Sequence, residues 1–575
     1  MGREIQTLND RQQQATASLR RHFSRITVWA AVGVLAGTIA AAKGIDTGSI
    51  RAELLAFHGL WFSLAAEIGR PLRIWVPLGL GVGLGIGVIH ALLSPAPRPR
   101  GTRARFLHRA ILFAGTVLLI TSAILVTASM LRPNPKGPNI LLVVLDTARR
   151  DRFSLYGYER PTTPHMEVLA NESTVFTEAY STSSWTPPAH ASLFTGLYSC
   201  AHHVTQESWF MADHLLTLAE ALWEMGYRTA AMVGNPMLSR QWGHAQGFEE
   251  YHELWREEDA NPAEHPALRR LRNFLDSPSD RPFFVFLNFM EPHSPYDSSR
   301  QYFDRYIRHK GIELVDNYFV EYFTGQRSFT REELEHLGDL YDAEIQYVDS
   351  LVGEIEAVLR GRGIIDETVL VITADHGENL GDHGMVDHVF NLYETTIRIP
   401  LLIRYPKVFP PGRTDASRVQ LLDLFPTLLH LAGAGGRFPS QGINIVGAEP
   451  GSIGRPILAE YYYPLQVLQV LGEPAGRSPL LAPFERRIRS LTEGDLKLIL
   501  GDDGRAELYD LAADPAEKTD LATNPAEREG LVLLREHLME LIETCLPPGT
   551  PPAVEAPVQL DEQTLKKLRS LGYIK

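Results

Sequence analysis

The chain has 575 residues, a formal net charge of −14 and an ordinary apolar fraction of 44%. This length predicts several folded units. The negative charge argues against nucleic-acid binding, which depends on a basic domain. Two cysteines, Cys200 and Cys545, are too few for a disulfide framework or a zinc cluster. We expect two separate thiols, with a disulfide as the alternative in an oxidising compartment.

Three apolar stretches near the start have about the 20-residue length of a membrane-spanning helix: residues 26–42, 74–93 and 111–131. Arginines precede the first stretch and fill the acid-free loop between the last two. Because basic loops stay cytoplasmic, we expect residues 1–25 inside and everything after 131 outside. The sequence thus predicts a multi-pass protein of the cell (inner) membrane, with an N-terminal α-helical membrane domain embedded in the lipid bilayer. A fourth crossing at 54–66 would reverse this topology; an interfacial helix is favoured there.

After a linker at 132–137, the character of the sequence changes. Apolar runs that predict strands buried on both faces occur at 140–145, 283–287, 369–373 and 400–403. Amphipathic patterns at 216–225 and 341–359 predict helices between them. This alternation predicts an α/β fold in residues 138–440, with a large, mostly parallel sheet flanked by helices. Residues 441–575 predict a smaller C-terminal α+β subdomain.

Polar side chains that can bind a metal follow three of these strands. Asp146 follows the first, Glu291 and His293 follow the second, and Asp375 and His376 follow the third. Each alone has a structural explanation, such as capping a turn. Because functional groups gather beyond the carboxyl ends of parallel strands, we expect these side chains to share one site.

The segment Ser184-Trp-Thr-Pro-Pro-Ala-His190 carries a further candidate. Thr186 precedes two prolines and a helix-compatible run, which predicts Thr186 at a helix N-terminus. The free N–H groups and the dipole of such an end attract an anion and favour a partly ionised hydroxyl. On this segment alone, an ordinary threonine cap is favoured.

Several ordered motifs together resemble the sulfatase family of the alkaline-phosphatase superfamily, and they span most of 138–575. The motifs are Pro138 to Asp146 with Tyr156-Gly-Tyr158, Thr186-Pro-Pro-Ala-His190 with Leu193-Phe-Thr-Gly196, Glu291-Pro-His-Ser-Pro-Tyr296, Asp375-His-Gly-Glu378 with His383 and His388, and Leu508-Tyr-Asp-Leu-Ala-Ala-Asp-Pro515. The resemblance implies an alkaline-phosphatase/sulfatase-like domain with a metal-dependent ester site.

By position, the resemblance assigns Asp146, Thr186, Asp375 and His376 to one divalent metal ion, with Thr186 also as the catalytic nucleophile. A cation makes a hydroxyl a far better nucleophile at neutral pH. Mixed carboxylate and imidazole ligands suit Zn²⁺ or Mn²⁺, and the family leaves Ca²⁺ and Mg²⁺ open.

Three histidines are the predicted substrate-binding residues: His190, His293 and His388. His388 lies near where sulfatases carry a substrate-binding lysine, and it is a candidate acid or base. Together with Asp382 or Asp387, histidines of this region offer ligands for a second metal, although one metal is favoured.

Three neighbouring residues are given a supporting role. Glu378 is expected to be structural or to orient a ligand. Arg149 and Arg150 are candidates to contact the anion, but an exposed salt bridge is favoured for each.

Residue 186 separates the chain from the formylglycine sulfatases. Oxidising the secondary alcohol of Thr186 gives a ketone instead of an aldehyde, and His190 replaces the arginine of the family's Cys/Ser-x-Pro-x-Arg signature. With threonine at this position, the chain resembles the phosphodiesterases, phosphoethanolamine transferases and lipoteichoic acid synthases of the wider superfamily. Those enzymes form a covalent phospho-threonine.

We therefore predict a membrane-anchored enzyme that cleaves or transfers a phospho- or sulfo-ester, with phosphodiesterase or phosphotransferase chemistry favoured. The expected partner is an anionic ester substrate such as an envelope lipid or glycan. The alternatives are a sulfuric ester hydrolase that works without formylglycine, and a non-catalytic binding or sensory ectodomain. The oligomeric state stays open.

Overall fold

The computed structural model describes residues 137–257, 264–296, 300–312, 314, 318–471, 481–545, 560–571 and 573–574. Within these ranges no helix combines the length and the apolar character that a bilayer crossing needs. The three predicted spans at 26–42, 74–93 and 111–131 lie outside the described residues.

The strands form an eight-stranded sheet, a four-stranded sheet and a two-stranded ribbon. In chain order they are β1 (Asn139–Leu145), β2 (Thr174–Tyr180), β3 (Arg228–Val233), β4 (Glu250–Glu253), β5 (Phe283–Phe289), β6 (Thr368–Ala374), β7 (Asn379–Leu380), β8 (Val386–Asp387), β9 (Arg398–Arg404), β10 (Arg413–Gln420), β11 (Ile457–Tyr461), β12 (Ile488–Glu493), β13 (Leu496–Gly501) and β14 (Ala506–Asp510).

The α-helices lie mostly between these strands. They are α1 (Pro164–Ala170), α2 (Thr186–Thr195), α3 (Ser199–His202), α4 (Leu218–Glu224), α5 (Pro266–Asp276), α6 (Arg300–Tyr306), α7 (Tyr318–Phe323), α8 (Arg331–Gly361), α9 (Glu394–Ile397), α10 (Leu424–Leu431), α11 (Leu465–Leu471), α12 (Arg528–Cys545) and α13 (Glu562–Ser570). Each of the two predicted helices forms, and α8 begins ten residues before its predicted start, at a capping box of Thr330 and Glu333.

The four predicted strands all form, as β1, β5, β6 and β9. The large sheet has the order β10-β2-β9-β6-β1-β5-β3-β4. Every side chain of β5 and β6 is buried, as expected for strands covered on both faces by helices. The fold is therefore α/β, with a large sheet flanked by helices.

The sheet is mixed, because β9 runs antiparallel to both of its neighbours, β2 and β6. All other pairings in this sheet are parallel. The cause is the path of the chain. After β6 the segment 375–393 stays at the carboxyl edge of the sheet, so the next strand has to run back in the opposite direction.

The four-stranded sheet is an antiparallel array in the order β11-β12-β13-β14. Its apolar side chains, including Leu491 and Leu498, pack with Leu534 and Leu538 of α12 in a separate cluster. Lys497 of β13 is fully buried and pairs with Glu394 at 2.9 Å and Glu517 at 2.7 Å. This ion triad ties the smaller sheet to α9, which leads into β9.

The expectation of two separate thiols is wrong. Cys200 of α3 and Cys545 at the end of α12 form a disulfide, with their Cα atoms 6.1 Å apart. The two residues are separated by 345 positions in the chain, so only the packing of α12 brings them together. Spacing along the sequence carries no signal for such a pair.

Candidate functional site

Asp146 lies at the carboxyl edge of the large sheet, directly after β1. Its Oδ2 accepts hydrogen bonds from Asn235 Nδ2 at 2.9 Å and from Asn288 Nδ2 at 3.2 Å. Asn235 follows β3, and Asn288 lies near the end of β5. Among the described residues Oδ1 of Asp146 has no hydrogen-bond partner, so the two asparagines orient the carboxylate and leave one oxygen open to the site.

Asp375 follows β6, the strand beside β1 in the sheet. Its Oδ1 accepts from the backbone N–H of Thr147 at 3.1 Å and of His376 at 2.9 Å. Thr147 adopts a left-handed φ of 57°, and Tyr341 holds it there by donating to its carbonyl at 2.7 Å. Oδ2 of Asp375, like Oδ1 of Asp146, has no hydrogen-bond partner in the described part of the chain.

Thr186 is the first residue of α2, as its position before two prolines predicts. Its Oγ1 lies 3.2 Å from His376 Nε2. The Nδ1 of His376 is 3.0 Å from the carbonyl of Gly377, which accepts only, so Nδ1 carries the proton and Nε2 presents a lone pair. The Thr186 hydroxyl and the Nε2 lone pair of His376 thus face each other, beside Oδ1 of Asp146 and Oδ2 of Asp375.

The charges of this cluster are unbalanced. Asp146, Asp375, His376 and Thr186 are all fully buried. Burial raises the pKa of Asp146 to about 6, while burial and the charge of Asp146 raise the pKa of Asp375 well above its usual value. Burial lowers the pKa of His376. Two adjacent carboxylates without a cation are a costly arrangement in a protein interior.

A divalent cation fits this geometry. Ligand atoms of Asp146, Asp375 and His376 all lie within 4.8 Å of one another. Carboxylate oxygens and an imidazole lone pair are metal ligands, and a cation would balance the buried charge. We call this set, with Thr186, the threonine cluster.

His190 lies one helical turn after Thr186. Its Nδ1 is 2.9 Å from the carbonyl of Thr186 and donates to it, and its ring packs against Phe194 and Phe286. Burial lowers the pKa of His190 to about 4, so the ring is neutral. The residue therefore braces the first turn of α2 from the core side.

His388 forms a second buried cluster with Glu378 and Asp387. Its Nδ1 lies 3.0 Å from Asp387 Oδ1 and 3.5 Å from Glu378 Oε2. Burial opposes a charge on His388, but the two carboxylates outweigh it and hold the pKa of the imidazole well above its usual value. The ring centroid is 4.6 Å from that of His376. We call this set the histidine cluster; its ligand atoms also lie close enough to hold a cation.

The third predicted substrate residue, His293, lies beside the histidine cluster, with its ring 5.2 Å from that of His388. His383, in contrast, is exposed and stacks on Tyr393 at 3.7 Å. Its ring therefore lies outside the two clusters.

The prediction of an exposed salt bridge is wrong for Arg149. Its side chain is buried and pairs with Asp151 at 2.7 Å and with Asp382 at 2.5 Å. Arg149 also donates to the carbonyl of Glu378 at 3.0 Å. Arg149 therefore fixes the loop after β6. Its ion pair with Asp382 occupies one of the carboxylates that were predicted as ligands of a second metal.

Sequence reasoning missed Asn235, Asn288, Trp185 and Tyr573. Asn288 is the one polar residue of the apolar β5, and Asn235 follows the short run of β3, so both were detectable as polar interruptions at strand ends. Trp185 packs against His388, with ring centroids 5.3 Å apart. Tyr573 contacts His293 from a distant part of the chain, and nothing in the local sequence signals this.

Fold and site together define an α/β protein with a buried, anionic cluster at the ends of its parallel strands. The model of the sulfatase family matches residues 138–434, more than half of the chain. The chain belongs to the sulfatase family, whose enzymes are metal-dependent.

Known relatives are similar over most of their length. N-acetylglucosamine-6-O-sulfatase of Bacteroides thetaiotaomicron is 24% identical, over 70% of this chain and 86% of the relative. Choline-sulfatase of Rhizobium meliloti is 26% identical, over 66% and 82%. The crystal structure of the phosphonate monoester hydrolase of Agrobacterium radiobacter superposes with a TM-score of 0.59 at 21% identity, covering 71% of this chain and 96% of that one. That likeness establishes the fold.

Proposed function

We propose that the protein is a membrane-anchored, metal-dependent enzyme that cleaves or transfers a phospho- or sulfo-ester with Thr186 as nucleophile. One observation carries the proposal: Thr186 is the first residue of α2, and its Oγ1 lies 3.2 Å from His376 Nε2, beside two buried carboxylates that each have one oxygen without a hydrogen-bond partner among the described residues. A hydroxyl in this setting combines a helix N-terminus with ligands for a cation.

The threonine cluster would hold one divalent ion through Asp146, Thr186, Asp375 and His376. The ligand set favours Zn²⁺ or Mn²⁺ and is compatible with Ca²⁺ or Mg²⁺. When bound, such an ion supplies Lewis-acid stabilisation of negative charge on the nucleophile and on the transferring group. Asn235 and Asn288 keep Asp146 oriented, as outer hydrogen bonds do for metal ligands.

Thr186 carries out the group transfer in two steps. Thr186 Oγ1 loses its proton and forms the bond to phosphorus or sulfur, while the bond to the alcohol oxygen breaks and that oxygen gains a proton. Water or an acceptor alcohol then takes the group from Thr186. His190 holds the first turn of α2 through the Thr186 carbonyl.

His388 supplies the positive charge that faces the substrate. Its Nδ1 is held by Asp387 and Glu378, and its Nε2 has no partner among the described residues. A fixed imidazolium stabilises charge that develops on a transferring anion. His293 packs beside it, with its ring nitrogens bonded to the Ser294 carbonyl and the Tyr573 hydroxyl.

Residue 186 favours phosphoryl over sulfuryl chemistry, because threonine cannot be converted to the formylglycine aldehyde. The similarity to N-acetylglucosamine-6-O-sulfatase and choline-sulfatase supports a sulfuric ester hydrolase as the second candidate. A non-catalytic ectodomain would not need a complete set of converging ligands.

Two observations support an extracytoplasmic location at the membrane. The arginines around the predicted spans favour an extracytoplasmic location of the residues after 131. The Cys200–Cys545 disulfide is typical of an oxidising compartment. A membrane-proximal site suits an anionic ester of an envelope lipid or glycan.

The test uses the full-length chain, purified in detergent, stripped of metal and reloaded. Aryl phosphodiester, phosphomonoester and sulfate substrates are compared for wild type, Thr186→Ala and Thr195→Ala. Thr195 ends the same helix and bonds to the Ala191 carbonyl, so it is the matched control. We expect phosphodiester turnover that requires metal, survives Thr195→Ala and is lost in Thr186→Ala. Turnover that persists in Thr186→Ala contradicts the mechanism, and turnover of sulfate alone contradicts the phosphoryl assignment.

A further inference from the structure

A segment distant in sequence reaches the site described above. It consists of residues 560–571 and 573–574 and includes α13. The guanidinium of Arg256, just after β4, donates hydrogen bonds to both carboxylate oxygens of Asp561, at 2.7 and 2.5 Å, and to Thr564 Oγ1 at 2.6 Å. Thr564 and Leu568 are fully buried. The segment is therefore packed into the domain and held by a forked ion pair.

Tyr573 lies at the inner end of this segment. Its ring centroid is 5.8 Å from that of Trp185 and 5.6 Å from that of His293. His293 Nδ1 donates to the Ser294 carbonyl at 2.6 Å, so its Nε2 carries a lone pair. The Tyr573 hydroxyl donates to that lone pair, and burial, which raises the pKa of Tyr573, keeps this hydroxyl protonated.

A cavity opens beside Tyr573 and the histidine cluster. It is lined by Trp185, His293, Asp387 and Tyr573 together with apolar side chains that include Val389, Val467 and Leu571. Asp387 belongs to the histidine cluster, and the ring of Trp185 lies 5.3 Å from that of His388, so the cavity adjoins the histidine cluster.

The lining of the cavity indicates what it receives. Aromatic and aliphatic side chains form most of its wall, and such a wall binds apolar surface. Gln466, also in the wall, has an Oε1 without a hydrogen-bond partner in the described residues, which offers one acceptor. This composition suits the apolar part of an alcohol better than an ion.

We propose that Tyr573 is a specificity-determining residue, which forms with Trp185 the aromatic wall of a pocket for the apolar part of the ester's alcohol group. This inference rests on the proposed function, because it takes the threonine cluster as the place where the acid group of the ester binds. The ring of Tyr573 contacts the alcohol, and the hydrogen bond of its hydroxyl to His293 fixes the orientation of that ring.

The experiment compares two anions that differ only in their apolar group, phenylphosphonate and methylphosphonate. Their binding to the metal-loaded, full-length protein is measured by calorimetry. We expect wild type to bind phenylphosphonate about tenfold more tightly, the scale of one aromatic contact. In Tyr573→Ala this preference should vanish while methylphosphonate affinity changes less than twofold, and Tyr573→Phe should keep the preference.

The matched control is Tyr306→Phe, which removes another buried tyrosine hydroxyl, one that bonds to the Pro161 carbonyl. It should change neither affinity. A wild type without a phenyl preference, or a Tyr573→Ala variant that keeps it, overturns the proposal. Equal losses of both affinities in Tyr573→Ala show a structural role and overturn it as well.

This measurement is separable from the test of the nucleophile. Phosphonate binding needs no turnover, so the phenyl preference can be measured in Thr186→Ala too. If Thr186→Ala retains turnover, the proposed mechanism fails while the phenyl preference of the pocket can still hold. If the mechanism holds and the preference is absent, only the role of Tyr573 fails.

Discussion

The threonine cluster and the histidine cluster have nearly the same composition but differ in how their buried carboxylates are balanced by positive charge. Each buries two carboxylates and one imidazole. In the threonine cluster the Nδ1 of His376 is bonded to a backbone carbonyl, so the carboxylates of Asp146 and Asp375 gain no cation from the ring. In the histidine cluster the Nδ1 of His388 faces both carboxylates.

In each cluster, the group that the histidine Nδ1 faces therefore determines whether the buried carboxylates have a positively charged partner. The threonine cluster needs an external cation, whereas the histidine cluster carries its own imidazolium. This difference favours one metal ion over two and gives the clusters separate tasks. Substitutions in the two clusters should therefore affect metal content and rate differently.

The largest effect is expected from Asp375→Asn in the threonine cluster. Removing one of two carboxylates weakens the cation site, so metal content should fall from about one ion per chain to near zero, and activity by about 10³-fold or more. Metal analysis of the purified variant, alongside turnover, measures both. Asp349→Asn is the control, since Asp349 is a buried carboxylate that accepts from backbone N–H groups of α1; full metal content is expected there.

In the histidine cluster, His388→Gln should act on rate and spare the metal. Loss of a fixed positive charge near a transferring anion costs about 10²- to 10³-fold in kcat. We expect the variant to keep the wild-type metal content. Two ions per chain in wild type, falling to one in His388→Gln, would assign this cluster to a second metal and contradict the contrast.

Asn235→Ala should have an intermediate effect on the threonine cluster. The amide orients Asp146 from outside the ligand set, and such bonds are worth about 10- to 100-fold in metal affinity. Competition with a chelator measures the affinity. Asn171→Ala, which alters an exposed asparagine at the end of α1, should leave it unchanged.

The smallest effect on activity is expected from Cys545→Ser, far from both clusters. Loss of the disulfide should lower the free energy of unfolding by about 2–4 kcal/mol, because the unfolded chain gains freedom. Thermal unfolding gives the shift, and kcat of the folded enzyme should stay within twofold. The double variant with Cys200→Ser should match the single one; an additional loss in the double variant would show that the two thiols act separately.

Much of the fold followed from local patterns. Continuous apolar runs predicted β1, β5, β6 and β9, because strands covered on both faces need no polar alternation. The direction of β9 was not predictable from composition, since it depends on the loop after β6 returning along the same edge.

The site was partly predictable for a related reason. Asp146, Asp375 and His376 follow predicted strands. Because the carboxyl ends of parallel strands meet at one edge of the sheet, these side chains are expected to lie together. The role of Asn235 was not predicted, because β3 is short and rich in alanine and was not recognised as a strand. Tyr573 and the disulfide depend on contacts across hundreds of residues, which only the packed structure reveals.

The central claim is that Thr186 forms a covalent intermediate. The direct measurement is mass spectrometry of the metal-loaded enzyme, quenched with acid during turnover of an aryl phosphodiester. The account predicts a phosphoryl ester on Thr186, absent in Thr186→Ala. Turnover without an adduct at Thr186, or with the adduct on another residue, would contradict it.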